Sequence, residues 1–132
     1  MVSKTKSKGT YYERSVMNIF DTYGYASIRT LGSGGGTKKP KPDIITSNGT
    51  NTYAIEVKQR NSNVLYISWS QINELKRFSI TFGATPLIVY KFGRRPFKVI
   101  EANSIQKNNS KNYKITITDA TMKLTNYIGA SE

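Results

Sequence analysis

The chain of 132 residues carries 20 lysines and arginines against 8 aspartates and glutamates, for a formal net charge of +12, and it has no cysteine and no histidine. Its apolar fraction of 37% and aromatic fraction of 11% are too high for a disordered chain, and the length suits one domain, residues 1–132, around one core. Without Cys there are no disulfides and no thiolate chemistry, and without His there are no imidazole bases and few routes to zinc, so any catalysis must use carboxylates, amines, hydroxyls or a hard metal ion.

No stretch approaches the ~18 consecutive apolar residues of a membrane span. The start, "MVSKTKSKGTYYER", lacks the apolar middle of a signal peptide. The expectation is an intracellular, cytoplasmic protein without membrane contact. Its excess of cations points to the phosphate backbone of a nucleic acid as partner.

Residues 1–9 read as a mobile basic arm, with Lys4, Lys6 and Lys8 among Ser, Thr and Gly. From Tyr12 the apolar residues Val16, Ile19, Phe20 and Tyr23 recur at spacings of three and four, predicting a helix that Gly24 ends. Glu13 lies about 100° around that helix from Tyr12, on the border of the apolar stripe. "YASIRTL" predicts a strand. "GSGGGTKKPKP", residues 32–42, then predicts a flexible basic loop whose lysines Lys38, Lys39 and Lys41 meet phosphates.

"DIIT", the turn "SNG" and "TYAIEVKQR" form a hairpin pattern, with Ala54, Glu56 and Lys58 on one face of the second strand and Tyr53, Ile55 and Val57 on the other. "SWSQINELKRFSITFG" predicts a helix capped by Ser68 and Gln71, stopped by Gly83, and buried along Ile72, Leu75, Phe78, Ser79 and Phe82. "PLIVYKF" predicts a nearly continuous apolar strand, "PFKVIEA" a strand starting at Pro96 on an edge, "YKITIT" another strand, and "ATMKLTNYI" a short helix. An edge position would also account for Lys91 within "IVYKF".

Asp43 at the start of one hairpin strand and Glu56 in its neighbour can converge on one hard cation, because antiparallel strands lie about 4.8 Å apart. Mg²⁺, with Mn²⁺ as substitute, suits such oxygen ligands and keeps waters of its own. The Val57 carbonyl between them is a further oxygen donor, and Lys58 on the face of Glu56 can orient a water or offset charge. Hydrolysis of a phosphodiester requires such an arrangement. The same Glu and Lys also suit an ordinary solvated strand face.

These residues resemble the PD-(D/E)xK nuclease superfamily, and the chain is similar within it to the archaeal Holliday-junction resolvases, including those of archaeal viruses. The resemblance rests on "SKGTYYER", "RTLGSG", "PDII", "AIEVK", "FSITFG", "VYKF" and "FKVIEA", in unbroken order over roughly residues 7 to 102. It implies an α/β (α+β), restriction-endonuclease-like fold with a central mixed five-stranded sheet flanked by helices. It also implies a homodimer, and Mg²⁺-dependent paired nicking of a four-way DNA junction with no small-molecule cofactor beyond the metal.

By the resemblance, Glu13, Asp43 and Glu56 are metal ligands and catalytic acids, Lys58 is the catalytic lysine, and Ser33 is a loop serine used in catalysis. Arg14 and Lys91 handle substrate, and Arg29 and Arg60 belong with them among the expected DNA contacts. Phe78 and Phe82 mark the dimer interface; a viral member would work in its host's cytoplasm. The loop after Ser33 is longer and richer in Gly and Lys than the family's short form, and residues beyond 102 have no clear counterpart. Two other readings remain: a non-catalytic DNA-binding protein on a nuclease fold, and a restriction- or repair-type endonuclease acting on other DNA.

Overall fold

Helix α1 (Lys4–Thr22) leads the chain into strand β1 (Ala26–Arg29) through Gly24, whose φ of 85° supplies the left-handed turn that other residues rarely adopt. The computed structural model describes residues 4–30 and 40–131, residues 4–8 as backbone only. Where the sequence reads as a mobile arm, helix has therefore already begun at Lys4, eight residues before Tyr12. Ser, Lys and Thr carry no stripe, so periodicity misses this turn, yet none of them forbids helix.

β2 (Ile44–Ser47) and β3 (Thr52–Arg60) form the expected hairpin. Its turn is held by the Asn48 side chain, whose oxygen accepts from the amides of Thr50 at 2.9 Å and Asn51 at 2.7 Å. Next come β4 (Val64–Ser68), helix α2 (Trp69–Phe82), β5 (Thr85–Phe92), β6 (Lys98–Glu101), β7 (Asn112–Thr116), β8 (Met122–Lys123) and α3 (Leu124–Ala130). α2 is capped as its sequence predicts: the Ser68 hydroxyl accepts from the Gln71 amide at 3.1 Å, and Gly83 closes the helix at φ 86°. Strand β6 begins at Lys98 and leaves Pro96 outside the ladder, where its missing N–H costs nothing.

The main sheet is mixed and has six strands in the order β1-β2-β3-β5-β6-β8, one more than the expected five; β4 and β7 form a separate antiparallel pair. The extra member, β8, is two residues long. β5 runs parallel to β3 and antiparallel to β6, so it lies inside the sheet, and Lys91 is no edge lysine.

Alternation along β3 and β5 divides the core in two. Tyr53, Ile55, Leu87 and Val89 meet α1 and α3 through Val16, Phe20, Leu124 and Ile128. Ala54, Ile88, Tyr90 and Phe92 meet α2 and the small sheet through Ile72, Leu75, Leu65 and Ile115. Within α2, Trp69, Ile72, Leu75 and Ser79 are buried and Phe78 is partly so, but Phe82 is 53% exposed. The stripe narrows there because α2 ends and the chain turns away at Gly83.

Candidate active site

β3 is paired with β5 along residues 53–60, whereas β2 covers it only from Thr52 to Ile55. Beyond Ile55, one flank of β3 has therefore lost its strand neighbour. Asp43 fills this position with its side chain. In the β2–β3 register Asp43 would face Glu56, but its amide donates to the Ile55 carbonyl at 2.9 Å, one residue out of step. Its Oδ2 in turn accepts the Val57 amide at 2.9 Å. A one-residue slip of this kind re-aims a side chain, as bulges beside functional sites do.

The slip is clamped from the other flank. The Thr30 amide donates to the Asp43 carbonyl at 3.0 Å, in step with the β1–β2 ladder, and the Thr30 hydroxyl donates to the Pro42 carbonyl. Thr30 escaped the sequence reading. Its only signal is a hydroxyl residue placed directly across the β1–β2 ladder from Asp43.

Asp43 and Glu56 meet closely enough for their carboxyl groups to hydrogen-bond to each other. Burial, then the charge of Asp43, pushes Glu56 up to about 8, with Lys58 opposing and Glu13 adding a smaller push. Asp43 is also raised by burial, against the Val57 amide and the charge of Lys58. Two partly desolvated carboxyls this close together make a place where a cation would offset the repulsion between them.

Glu13, partly buried on α1, is raised by burial and by the charge of Asp43, while Arg29 opposes both. Arg29 Nη1 lies 3.4 Å from Glu13 Oε1, so one of the expected DNA contacts is engaged by the helical acid. Glu13, Asp43, Glu56 and Lys58 therefore share one electrostatic neighbourhood. Among the described residues, no three Asp or Glu side chains close into a group that could hold a metal ion by themselves.

The donor set nonetheless fits a hard cation that keeps its own waters. It consists of two carboxylates and the Val57 carbonyl, which by strand geometry points to the same vacated flank as the Val57 amide. Oxygen ligands alone suit a hard divalent cation and do not suit a soft metal.

The remaining predicted residues lie at different distances from this center. Arg14, Lys41 and Arg60 are exposed. Arg60 shares the face of Glu56 and Lys58 by alternation. Lys91 stands on the opposite, α1-facing side, its Nζ 5.4 Å from the Tyr12 ring center and 5.0 Å from that of Phe97. It thus props the helix beside Glu13 and does not join the acids. Ser33, Lys38 and Lys39 lie outside the described residues, as do the side chains of Lys4, Lys6 and Lys8. Phe78 and Phe82 stack on each other with ring centers 5.3 Å apart, away from the acids on α2.

Comparison with known proteins follows the same outline. A family model described as archaeal Holliday junction resolvase (Hjc) matches residues 4–132. The crossover junction endodeoxyribonuclease Hjc of Archaeoglobus fulgidus is 36% identical over 110 residues, which is 83% of this chain and 79% of that protein. Its counterpart in Sulfolobus acidocaldarius is 28% identical over 109 residues, 82% of this chain and 76% of its own. The crossover junction endodeoxyribonuclease of Sulfolobus islandicus rod-shaped virus 1 is 32% identical over 77 residues, 58% of this chain and 63% of that one. The solved structure of the A. fulgidus Hjc matches with a TM-score of 0.80 at 30% identity, covering 91% of this chain and 99% of the other.

Proposed function

The chain belongs to the archaeal Holliday junction resolvase family, and we infer from this and from the site that it is a crossover junction endodeoxyribonuclease acting on four-way DNA junctions. The observation that carries the chemistry is the Asp43–Glu56 carboxyl pair beside Lys58, set where β2 leaves β3 uncovered. We propose that Asp43, Glu56 and the Val57 carbonyl hold Mg²⁺, with Mn²⁺ as substitute and with Glu13 as the third acid. When bound, such an ion relieves phosphoryl charge and acidifies a water.

The chain's own groups do the rest. The Val57 amide fixes the Asp43 carboxylate, and Lys58 offsets charge developing on the phosphate or its attacking water. Arg29, 3.4 Å from Glu13, opposes the burial and the Asp43 charge that favour its protonated form. The products expected are a 5′-phosphate and a 3′-hydroxyl.

Paired cutting of opposed strands needs two such centers, and a two-fold protein matches a two-fold junction. We propose a homodimer joined through the exposed end of α2, where Phe82 and its stacked partner Phe78 present an aromatic surface. Arg14, Lys41 and Arg60, together with Ser33, Lys38, Lys39 and the lysines of the first turns, are proposed to serve the DNA.

The deciding experiment incubates a labelled four-way junction with Mg²⁺ and the protein, its Glu56→Gln variant and its Asp43→Asn variant, and repeats the assay with a linear duplex of the same arms. Junction cutting that falls at least 100-fold in both variants, with binding retained, is the expected result. Failure of the unmodified protein to cut the junction under any divalent ion, or equal cutting of the linear duplex, would overturn the reading.

A further inference from the structure

The sheet face bearing Glu56 and Lys58 continues beyond them. Register partners are direct neighbours on one face, and the pairs Lys58–Tyr90, Tyr90–Lys98 and Lys98–Lys123 cross β3, β5, β6 and β8, with Tyr90 buried between the lysines and its hydroxyl bonded to Thr121. At about 4.8 Å per step, Lys123 stands roughly 14 Å across the sheet from Lys58.

Beside this row opens a cavity of about 220 Å³, several times the roughly 30 Å³ a water occupies in the liquid. Its floor is aromatic, from the buried Tyr90 and Phe92, with Ile117 on one wall. Arg95, Lys98 and Lys123 stand around it, and no carboxylate lines it. The neighbouring Asp119 is already engaged, one oxygen accepting the Thr116 amide at 2.7 Å and the other the Thr116 hydroxyl at 3.0 Å. Lys98 Nζ reaches only the Asp119 backbone carbonyl, at 3.4 Å, a long bond that a better acceptor can displace. Of the four cations that line the hollow, Lys91 is turned to the rings of Tyr12 and Phe97, which leaves Arg95, Lys98 and Lys123 to attract an anion there.

We propose that this cavity seats a backbone phosphate of the strand being cut, a few nucleotides from the scissile phosphate. This inference rests on the reading of the protein as a junction endonuclease and adds the direction in which the DNA leaves the center. A diester in the strand and the monoester of a free nucleotide share the recognising chemistry, and the test separates them.

The full chain is compared with a variant carrying Arg95→Gln, Lys98→Gln and Lys123→Gln, and with a control carrying Lys107→Gln, Lys111→Gln and Lys114→Gln, exposed positions away from the row. Binding to a four-way junction is measured in Ca²⁺ over a range of salt. The first variant should bind at least tenfold more weakly and lose about 0.9 from the slope of log K against log salt, the share of one phosphate, unlike the control. Junctions with single neutral methylphosphonates then locate the contact. Neutralising one phosphate within a few nucleotides of the cut should weaken the unmodified protein and leave the triple variant unaffected, because the two changes remove one interaction.

Lys98→Arg with Lys123→Arg should retain affinity, and a melting temperature equal to that of the unmodified protein shows that the triple variant folds. If the variant and control bind alike, or if every methylphosphonate affects the variant and unmodified protein equally, the inference falls. It falls also if deoxynucleoside monophosphate saturates the cavity without weakening junction binding. Failure to cut any junction overturns the proposed function instead, since binding in Ca²⁺ is read independently of cutting.

Discussion

Glu56 carries most of the chemical tension of this molecule. Its carboxyl is pushed up to about 8 by burial and by Asp43, against an ordinary unfolded value near 4.3. Between these values the folded, metal-free protein holds a proton that the unfolded chain has released. The stability tied to that proton is complete below about pH 4.3 and is lost as pH rises through about 8. Glu56→Gln removes the titration. Thermal melts without metal should therefore agree for variant and unmodified protein near pH 5, while at pH 8.5 the variant should melt higher, by on the order of 1 kcal/mol or roughly 3–5 °C. Equal melting at both pH values would show that Glu56 is not held protonated. A divalent ion competes with the same proton, so Mg²⁺ affinity should climb from pH 6 to pH 8.5 with protons released on binding. Calorimetry in two buffers of different ionisation enthalpy measures that release.

At the scale of elements, α2 shows how a helix is specified by its ends. Ser68→Ala leaves the Gln71 amide without its cap and should cost about 1 kcal/mol. Gly83→Ala should cost a similar amount for a different reason. Nothing lies within 4 Å of the added methyl group, so the penalty comes wholly from the positive φ. Chemical denaturation of each variant checks both. Caps and stripe made α2 legible in the sequence, whereas β4 was not, because "NVLYIS" runs into "WSQINEL" with no turn residue between them. β8 is too short to carry any period, and the first turns of α1 are polar. At the center, strand parity placed Glu56 with Lys58, and the hairpin placed Asp43 opposite them. The slip at Asp43 and its Thr30 clamp were not legible, since they depend on where β2 ends in space. Lys91 reads as an interruption in its strand; the strand order shows that it is no edge residue, and the position of its Nζ beside the Tyr12 and Phe97 rings shows what it serves.

For the molecule as a whole, a charge of +12 makes ionic strength the strongest control of DNA affinity. The logarithm of the junction binding constant should fall linearly with the logarithm of salt, by about 0.9 for each phosphate contacted. Titration by fluorescence anisotropy between 50 and 300 mM salt measures it, and an affinity indifferent to salt would contradict a phosphate-led interface. Phe82→Asp, on the exposed end of α2, should give a folded monomer in sedimentation that still binds junctions more weakly and no longer cuts opposed strands together. The C-terminal helix adds a constraint of timing. Leu124 and Ile128 are fully buried against the same cluster as Val16 and Phe20, and Asn51 Nδ2 reaches the Ser131 carbonyl at 3.3 Å. The wall on which the helix of Glu13 rests is thus completed by residues made more than a hundred positions later. A ribosome still translating the middle of this message carries a polypeptide whose acid-bearing helix has no finished seat, so the capacity to nick DNA should arise abruptly, once Leu124 and Ile128 have been added, and not grow with the nascent chain.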